Sequence, residues 1–427
     1  MTTPTGPADL LRSRRFLPLF VTQFLGALND NVIKNALVVL LTFHSALWTT
    51  LPPELLANLA AGIFILPFFL FSATAGQMAD KYDKSRMAQW VKLLEIVIIL
   101  LTSLGFAWHS IEILFAGLFL LGTHSTFFGP IKYAILPQHL PDHELVAGNA
   151  LIEAGTFIAI LLGTLLGGIL AALSDPGSRI TLCGLLIGVS GYLASRMIPA
   201  ALPPDNSLRI NPNFVQETWR TLQLPRVDRI LFLSVLGISW FWLYGALFLA
   251  QFPAFSKNIL GGDEAVVSLL LLTFTIGISV GSLLCERLSA GEIKPGLITL
   301  GSVGLTLFGL DLAWAAPGTA ADLTTPLSIS ALLTQFGTWH ILADLLLIGT
   351  SGGLFIVPLY TLIQQKAPSG RRARLIAANN IYNALFMVLG ALSATALLSH
   401  GLTIPQLFAT TAGLNVVVAG MVYKISH

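Results

Sequence analysis

The segment Gly26–Asn35, "GALNDNVIKN", places Asp30 and Lys34 four residues apart, and Asn31 and Asn35 likewise. A helix turns once in about 3.6 residues, so each pair shares a face and the four residues make one polar stripe. The flanks, Phe16–Leu25 and Ala36–Phe43, are almost wholly apolar. An ionisable group at a helix centre in hydrocarbon costs about 2.5–3.5 kcal/mol on insertion scales, so it faces a cavity or a partner. Asp30 and Lys34 can therefore pair with each other. A carboxylate beside an ammonium also suits a zwitterionic headgroup or an ion. The plainer alternative is an ion pair that pins one helix to its neighbours.

Other polar residues stand in apolar surroundings. Lys132, in "GPIKYAIL", lies near the end of an apolar run, where it snorkels to lipid phosphate or binds an anion. Glu153 lies about two turns inside the next run, too deep to snorkel well. Asn149, Asn379, Asn380, Tyr382 and Asn383 are polar at comparable depth, and Gln251 is the strongly polar side chain of "WFWLYGALFLAQF". Asp311 reads as an interface anchor and Asp344 as solvated at a helix start. His340 and Asp344, four apart, give a weak hint of a proton relay. Cys183 and Cys285 lack metal or redox spacing and read as small core residues. No metal or cofactor is expected. The H-x-x-x-x-D acyltransferase signature is absent, its nearest approach being His139 to Glu144, and there is no phosphate-binding P-loop. The chain is therefore not read as an enzyme, and no nucleic-acid partner is expected.

The elements that hold these residues follow from composition. Of 427 residues, 55% are hydrophobic and 10% charged, with mean hydropathy +0.79. A soluble domain carries roughly 25% charged residues, so the class is an all-α integral membrane protein. A β-barrel would alternate in segments of about ten residues, and the runs here are about twice that. "RSRRF" before the first run resembles a signal peptide, but the run is too long, so it reads as an uncleaved first span.

Twelve spans are expected: Phe16–Phe43, Leu55–Met78, Met87–Trp108, Ile111–Leu136, Leu145–Leu173, Ile180–Ile198, Ile230–Phe255, Ala265–Leu288, Pro295–Ala315, Thr338–Gln364, Leu375–Ser399 and Ile404–Tyr423. The polar connection between spans six and seven divides the chain into halves 1–198 and 230–427, joined by a loop over 199–229. Basic residues gather on alternate connections: Arg12, Arg14 and Arg15; Lys81, Lys84 and Arg86; Arg209, Arg220, Arg226 and Arg229; Lys294; Lys366, Arg371, Arg372 and Arg374. The opposite connections hold Arg179 and Lys257, so both termini are expected in the cytoplasm. The halves also repeat. "GTHSTFFGPIKYAILPQHLP" (Gly122–Pro141) aligns with "GTSGGLFIVPLYTLIQQKAP" (Gly349–Pro368), and "AGNALIEA" (Ala147–Ala154) with "AANNIYNA" (Ala377–Ala384). A parallel repeat of six-helix halves implies a transporter with its site near the midplane.

"GQMADKYDKSR" (Gly76–Arg86) resembles the loop signature of the major facilitator superfamily. Gly76 permits close helix approach. Asp80 caps the next helix or accepts from Arg86, and with Lys84 these residues would form a conformational latch. Asp83 stands where the signature has Gly. The second-half counterpart, Gly281–Lys294, is a worn version.

"QFLGALNDNVIKNAL", "GQMADKYDKSRM", "GPIKYAILPQ", "AGNALIEAGTFIAILLGTLLGG" and "GGLFIVPLYTLIQ", in this order over essentially the whole chain, resemble the bacterial lysophospholipid transporters of that superfamily. The resemblance implies twelve helices as two halves around a central cavity, in the bacterial inner membrane. It implies movement of lysophospholipids, notably lysophosphatidylethanolamine, from the outer to the inner leaflet. A separate cytoplasmic acyltransferase/acyl-carrier-protein synthetase would re-acylate them, and the transporter would be a monomer among membrane lipids. Asp30, Asn31, Lys132 and Glu153 match the family pattern. Lys34 departs from a position that is apolar there, and span seven lacks the expected basic residue. Lys34 or Lys132 would then meet the headgroup phosphate, and aromatic residues such as Trp240, Phe241, Trp242, Tyr244, Phe248 and Phe386 the acyl chain. Two other readings stand beside this one: a proton-coupled symporter or exporter of a small solute, and a membrane-embedded enzyme or scaffold.

Overall fold

The computed structural model describes residues 6–43, 48, 49, 51, 53–316 and 326–426. Among them, twelve helices are long and apolar enough to cross a membrane. They are α1 (Leu17–Phe43), α2 (Pro53–Lys81), α3 (Lys84–Ala107), α4 (Ile111–His139), α5 (Leu145–Ala171) and α6 (Pro176–Ser195). The series continues with α7 (Arg229–Phe255), α8 (Glu264–Ser289), α9 (Pro295–Ala315), α10 (Phe336–Lys366), α11 (Arg372–Ser399) and α12 (Ile404–Ser426). Each expected span corresponds to one helix, and the described residues form no β-strand beyond an isolated bridge, Gly262–Leu327.

Local signals start several helices. Asp83, Ser110, Asp228 and Asp263 are N-caps whose side chains accept from free amides of the first turn. Asp83 shows why that position is not glycine here: it accepts from the amides of Ser85 (2.8 Å) and Arg86 (3.1 Å) and starts α3. Burial pushes its carboxyl up, but the Ser85 hydroxyl and the Arg86 and Ser85 amides outweigh that and hold it below the ordinary value.

The burial pattern is inverted relative to a soluble protein. Lys84, Lys92, Glu95 and Glu153 are buried, whereas Trp90, Leu182, Leu186, Leu193 and Leu392 are exposed. Large apolar side chains outside and ions inside suit a hydrocarbon solvent.

The chain divides into two compact units. One holds residues 1–148, 158–227 and 363–381; the other holds 149–157, 228–362 and 382–427. In the first, α2 packs on α4, α3 on α4 and α6, and α1 on α6 and α2. In the second, α9 packs on α12, and α7 on α12 and α8. The repeat seen in sequence returns in the packing. A Cβ on Gly122 of α4 would strike the Phe64 carbonyl oxygen of α2, and one on Gly349 of α10 would lie 2.5 Å from the Phe274 carbonyl oxygen of α8. Glycine alone allows these approaches. Gly163 and Gly167 of α5 meet α1 in the same way, and Gly277 and Gly281 of α8 meet α10; Gly168 has open space beside it.

The connection 199–229 is not the plain loop expected. It contains a ten-residue helix, Phe214–Gln223, and is strapped to the α2–α3 turn. The Lys84 amide donates to Ala201 (3.1 Å), the Asp205 amide to Asp80 (3.3 Å) and the Asn211 amide to the Gln77 side chain (2.8 Å). Phe214, Val215 and Trp219 leave one apolar side of that helix exposed.

Candidate functional site

The stripe on α1 is arranged differently from the local pairing that spacing suggests. Asp30 and Lys34 form no salt bridge. The Lys34 ammonium donates to the Asn31 side chain of its own helix (3.0 Å) and lies 5.3 Å from the Phe64 ring centroid of α2. The Asn35 amide donates to the Asn31 carbonyl (2.8 Å) and to the Thr164 hydroxyl of α5 (3.1 Å). Asp30 instead turns to α4, where Ser125 donates to it and His124 Nδ1 lies 3.6 Å away. The reason is access to better partners. The Ser125 hydroxyl of α4 serves one carboxylate oxygen of Asp30, and the His124 ring lies beside the other without hydrogen-bonding it.

Behind Asp30 lies a chain of ions. His124 Nε2 is 3.3 Å from Glu95 of α3, and Glu95 is salt-bridged to Lys92 one turn earlier. Asn29 of α1 donates to Glu95 (2.6 Å) and to the Gly184 carbonyl of α6 (3.3 Å). Lys92 and Glu95 have no solvent exposure, His124 has 2% and Asp30 has 13%. The set comprises two carboxylates, one ammonium and one imidazole, and is neutral when both ring nitrogens of His124 carry a proton. Small residues make room for it. A Cβ on Gly26 of α1 would lie 3.2 Å from Lys92 Nζ, and one on Gly191 of α6 would lie 2.6 Å from Lys92 Cε. The network thus ties α1, α3, α4 and α6 together.

None of Lys92, Glu95 or His124 figures among the sequence candidates. The signal was present: Lys92 and Glu95 are an i,i+3 pair inside an apolar run, and His124 opens the repeated segment. A cavity of about 810 Å³ opens elsewhere in this unit, lined by Leu40, Trp48, Phe106 and Asp175 among others, and none of the network ions lines it.

The remaining candidates separate. Lys132 is half-buried with its ammonium 4.7 Å from the Tyr133 ring centroid, in the same unit as Asp30 and Lys34. Glu153 is fully buried but belongs to the other unit, as do Asn149, Gln251 and Asn383. Asn149 donates to the Thr361 hydroxyl (3.0 Å), and Asn383 accepts from the Ser239 hydroxyl (2.8 Å). Asn379 is fully buried in the first unit with neither side-chain polar atom hydrogen-bonded. The aromatic residues of α7 also divide. Tyr244 donates to the Leu305 carbonyl and stacks on Phe248, which stacks on Phe408, so these are core. Trp240 is held by Asn415 (2.7 Å). Trp242 stays half-buried, stacked on Phe157 and donating to Tyr360 (3.3 Å).

The latch has a different partner from the one expected. Asp80 neither caps α3 nor bonds Arg86, whose side chain is exposed on the first turn of α3. It accepts from Arg374 Nε (3.0 Å) and from the amides of Ala373 (3.1 Å) and Arg374 (3.4 Å), at the start of α11. Gly76 allows this approach, since a Cβ there would lie 2.7 Å from the Ala377 Cβ. Lys84 is buried and adds its positive charge beside this carboxylate. Asp83 has already taken the α3 cap, which frees Asp80 for α11.

Twelve apolar helices with buried ions, a repeated packing scheme and a buried Asp80–Arg374 ion pair fit a multi-pass membrane protein of the transporter class. The chain belongs to the Major Facilitator Superfamily, whose family model matches residues 19–391. It is 28% identical over 407 residues to the lysophospholipid transporter LplT of Pectobacterium carotovorum, covering 92% of this chain and 89% of that one. It is 28% identical over 410 residues to the LplT of Cronobacter sakazakii, covering 93% of each. Among solved structures, a point variant of the Escherichia coli fucose:proton symporter FucP superposes with a TM-score of 0.73 over 96% of this chain and 98% of that one. At 13% identity that likeness is one of fold.

Two outcomes follow from these contacts. Lys92→Met leaves Glu95 buried beside a lost partner and should cost about 3–5 kcal/mol of stability, read as unfolding in detergent; Arg15→Met, at the partly exposed Arg15–Glu144 pair, should cost far less. Equal losses would show that the network bears no special load. At the latch, an Asp80→Ala, Arg374→Ala double-mutant cycle should give a coupling of about 0.5–3 kcal/mol, with Arg86→Ala within about 0.5 kcal/mol of wild type. Coupling of Asp80 to Arg86 instead would contradict the assignment.

Proposed function

We propose that this protein carries lysophospholipids, lysophosphatidylethanolamine foremost, from the outer to the inner leaflet of the bacterial inner membrane. The observation that carries the reading is the state of Asp30 and Lys34. They stand one turn apart, about 6 Å along the helix, and are not bonded to each other. Asp30 is 13% exposed, held from behind by His124 and Ser125. The Lys34 ammonium uses one donor on Asn31, which leaves donors for a phosphate. A carboxylate and an ammonium so spaced match the ammonium and phosphate of an ethanolamine headgroup. The whole-length similarity to proteins named lysophospholipid transporter supports the same substrate class.

In this reading both termini are cytoplasmic. The Asp80–Arg374 contact serves as the conformational latch, formed and broken in the transport cycle. Lys132 and Asn379 in one unit, and Asn149, Glu153, Gln251 and Asn383 in the other, are the further substrate-binding candidates. The product is re-acylated by a separate cytoplasmic acyltransferase/acyl-carrier-protein synthetase. A second reading, proton-coupled transport, is favoured by one feature: His124 lies between Asp30 and Glu95, so its charge state is tied to both.

The test uses purified protein in liposomes with fluorescent lysophosphatidylethanolamine in the outer leaflet, extracting the accessible fraction with albumin. Protection should develop several-fold faster than in protein-free vesicles. No acceleration would sink the lipid reading. Acceleration abolished by a protonophore under an imposed gradient would add proton coupling to it.

A further inference from the structure

At the end of the second unit where α9 leads towards α10, two carboxylates and an imidazole converge. Asp311 stands near the end of α9, and His340 and Asp344 in the first turns of α10. His340 Nε2 lies 3.1 Å from Asp311 Oδ2 and 3.6 Å from Asp344 Oδ2, and the three donor atoms lie within 4.8 Å of one another. Asp344 is 2% exposed, and its Oδ2, directed at this group, makes no hydrogen bond. A buried carboxylate oxygen without a donor is a costly arrangement unless something positive completes it. Asp311 and His340 are open to solvent, with side chains 43% and 34% exposed, which leaves an entry path.

We propose that Asp311, His340 and Asp344 bind a single divalent transition-metal ion of the zinc class. Tetrahedral zinc with bonds of about 2.0–2.2 Å sets its ligand atoms about 3.4 Å apart, and the observed 3.1 and 3.6 Å separations bracket that value. One imidazole and two carboxylates suit zinc, cobalt or manganese. Magnesium keeps several waters and calcium wants six to eight oxygens, so neither is served well. Three protein ligands leave the fourth position to water. The ion would clamp α9 to α10, spans that share no other ion pair among the described residues. The spacing of these residues in sequence does not suggest a metal, because Asp311 lies 29 positions from His340.

The experiment is zinc titration by calorimetry on the full-length protein in a non-chelating buffer with excess magnesium, with metal counted after dialysis. Wild type should bind one zinc per chain, and zinc should raise its unfolding midpoint. Asp344→Asn and His340→Gln should each weaken binding at least tenfold, and Asp311→Asn should do so from a partly exposed position with no core to disturb. Cobalt bound at the site should quench Trp314, whose ring centroid is 6.3 Å from that of His340, and the quench should vanish in Trp314→Phe. No zinc on wild type, or equal affinity in all three ligand variants, would overturn the proposal and leave His340 as an ion-pair partner of the two carboxylates.

Discussion

A charge in hydrocarbon has to be met by another group, and that constraint organises this molecule. Lys92 and Glu95 are fully buried on α3, a helix whose outward side chains, Trp90 and Val97 among them, are apolar and exposed. They persist because they neutralise each other and because His124, Asn29 and Asp30 extend the set across α1 and α4. Continuum reasoning gives such buried pairs little net stability over an apolar replacement. Through His124 the set reaches Asp30, which lies at its edge and stays partly accessible.

The same constraint explains the latch. Asp80 is buried, and its carboxylate is completed by a guanidinium and two backbone amides at the start of a helix. These contacts are strong in a dry setting and weak once water enters. A contact of that kind switches between two states instead of yielding gradually. Asp83 performs the capping that would otherwise occupy Asp80, so the departure from glycine at that position has a physical purpose.

The twelve spans were legible in the sequence because apolar runs of about twenty residues admit little else. Span ends differ from helix ends by a few residues, as where α2 runs on to Lys81. The repeat was legible as paired glycines and prolines, and it reappears as matching close approaches of α4 to α2 and α10 to α8. The ion network was not legible in the same way. Asp30 and Lys34 look like natural partners when one helix is read alone, yet the partners of Asp30 lie on α4, about 95 residues on. Asp80 and Arg374 are separated by 294 positions. Local spacing finds which residues are polar at depth; which of them meet is decided by helix packing.

The central claim is that Asp30 and Lys34 read the two charges of a lysophospholipid headgroup while the buried network holds Asp30 in position. Its most direct test is equilibrium binding of lysophosphatidylethanolamine to the purified protein, compared among wild type, Asp30→Asn and Lys34→Ala. At least tenfold weaker binding in each variant, with unfolding midpoints close to wild type, is the predicted result. Unchanged affinity in folded variants would contradict the claim and place headgroup recognition elsewhere.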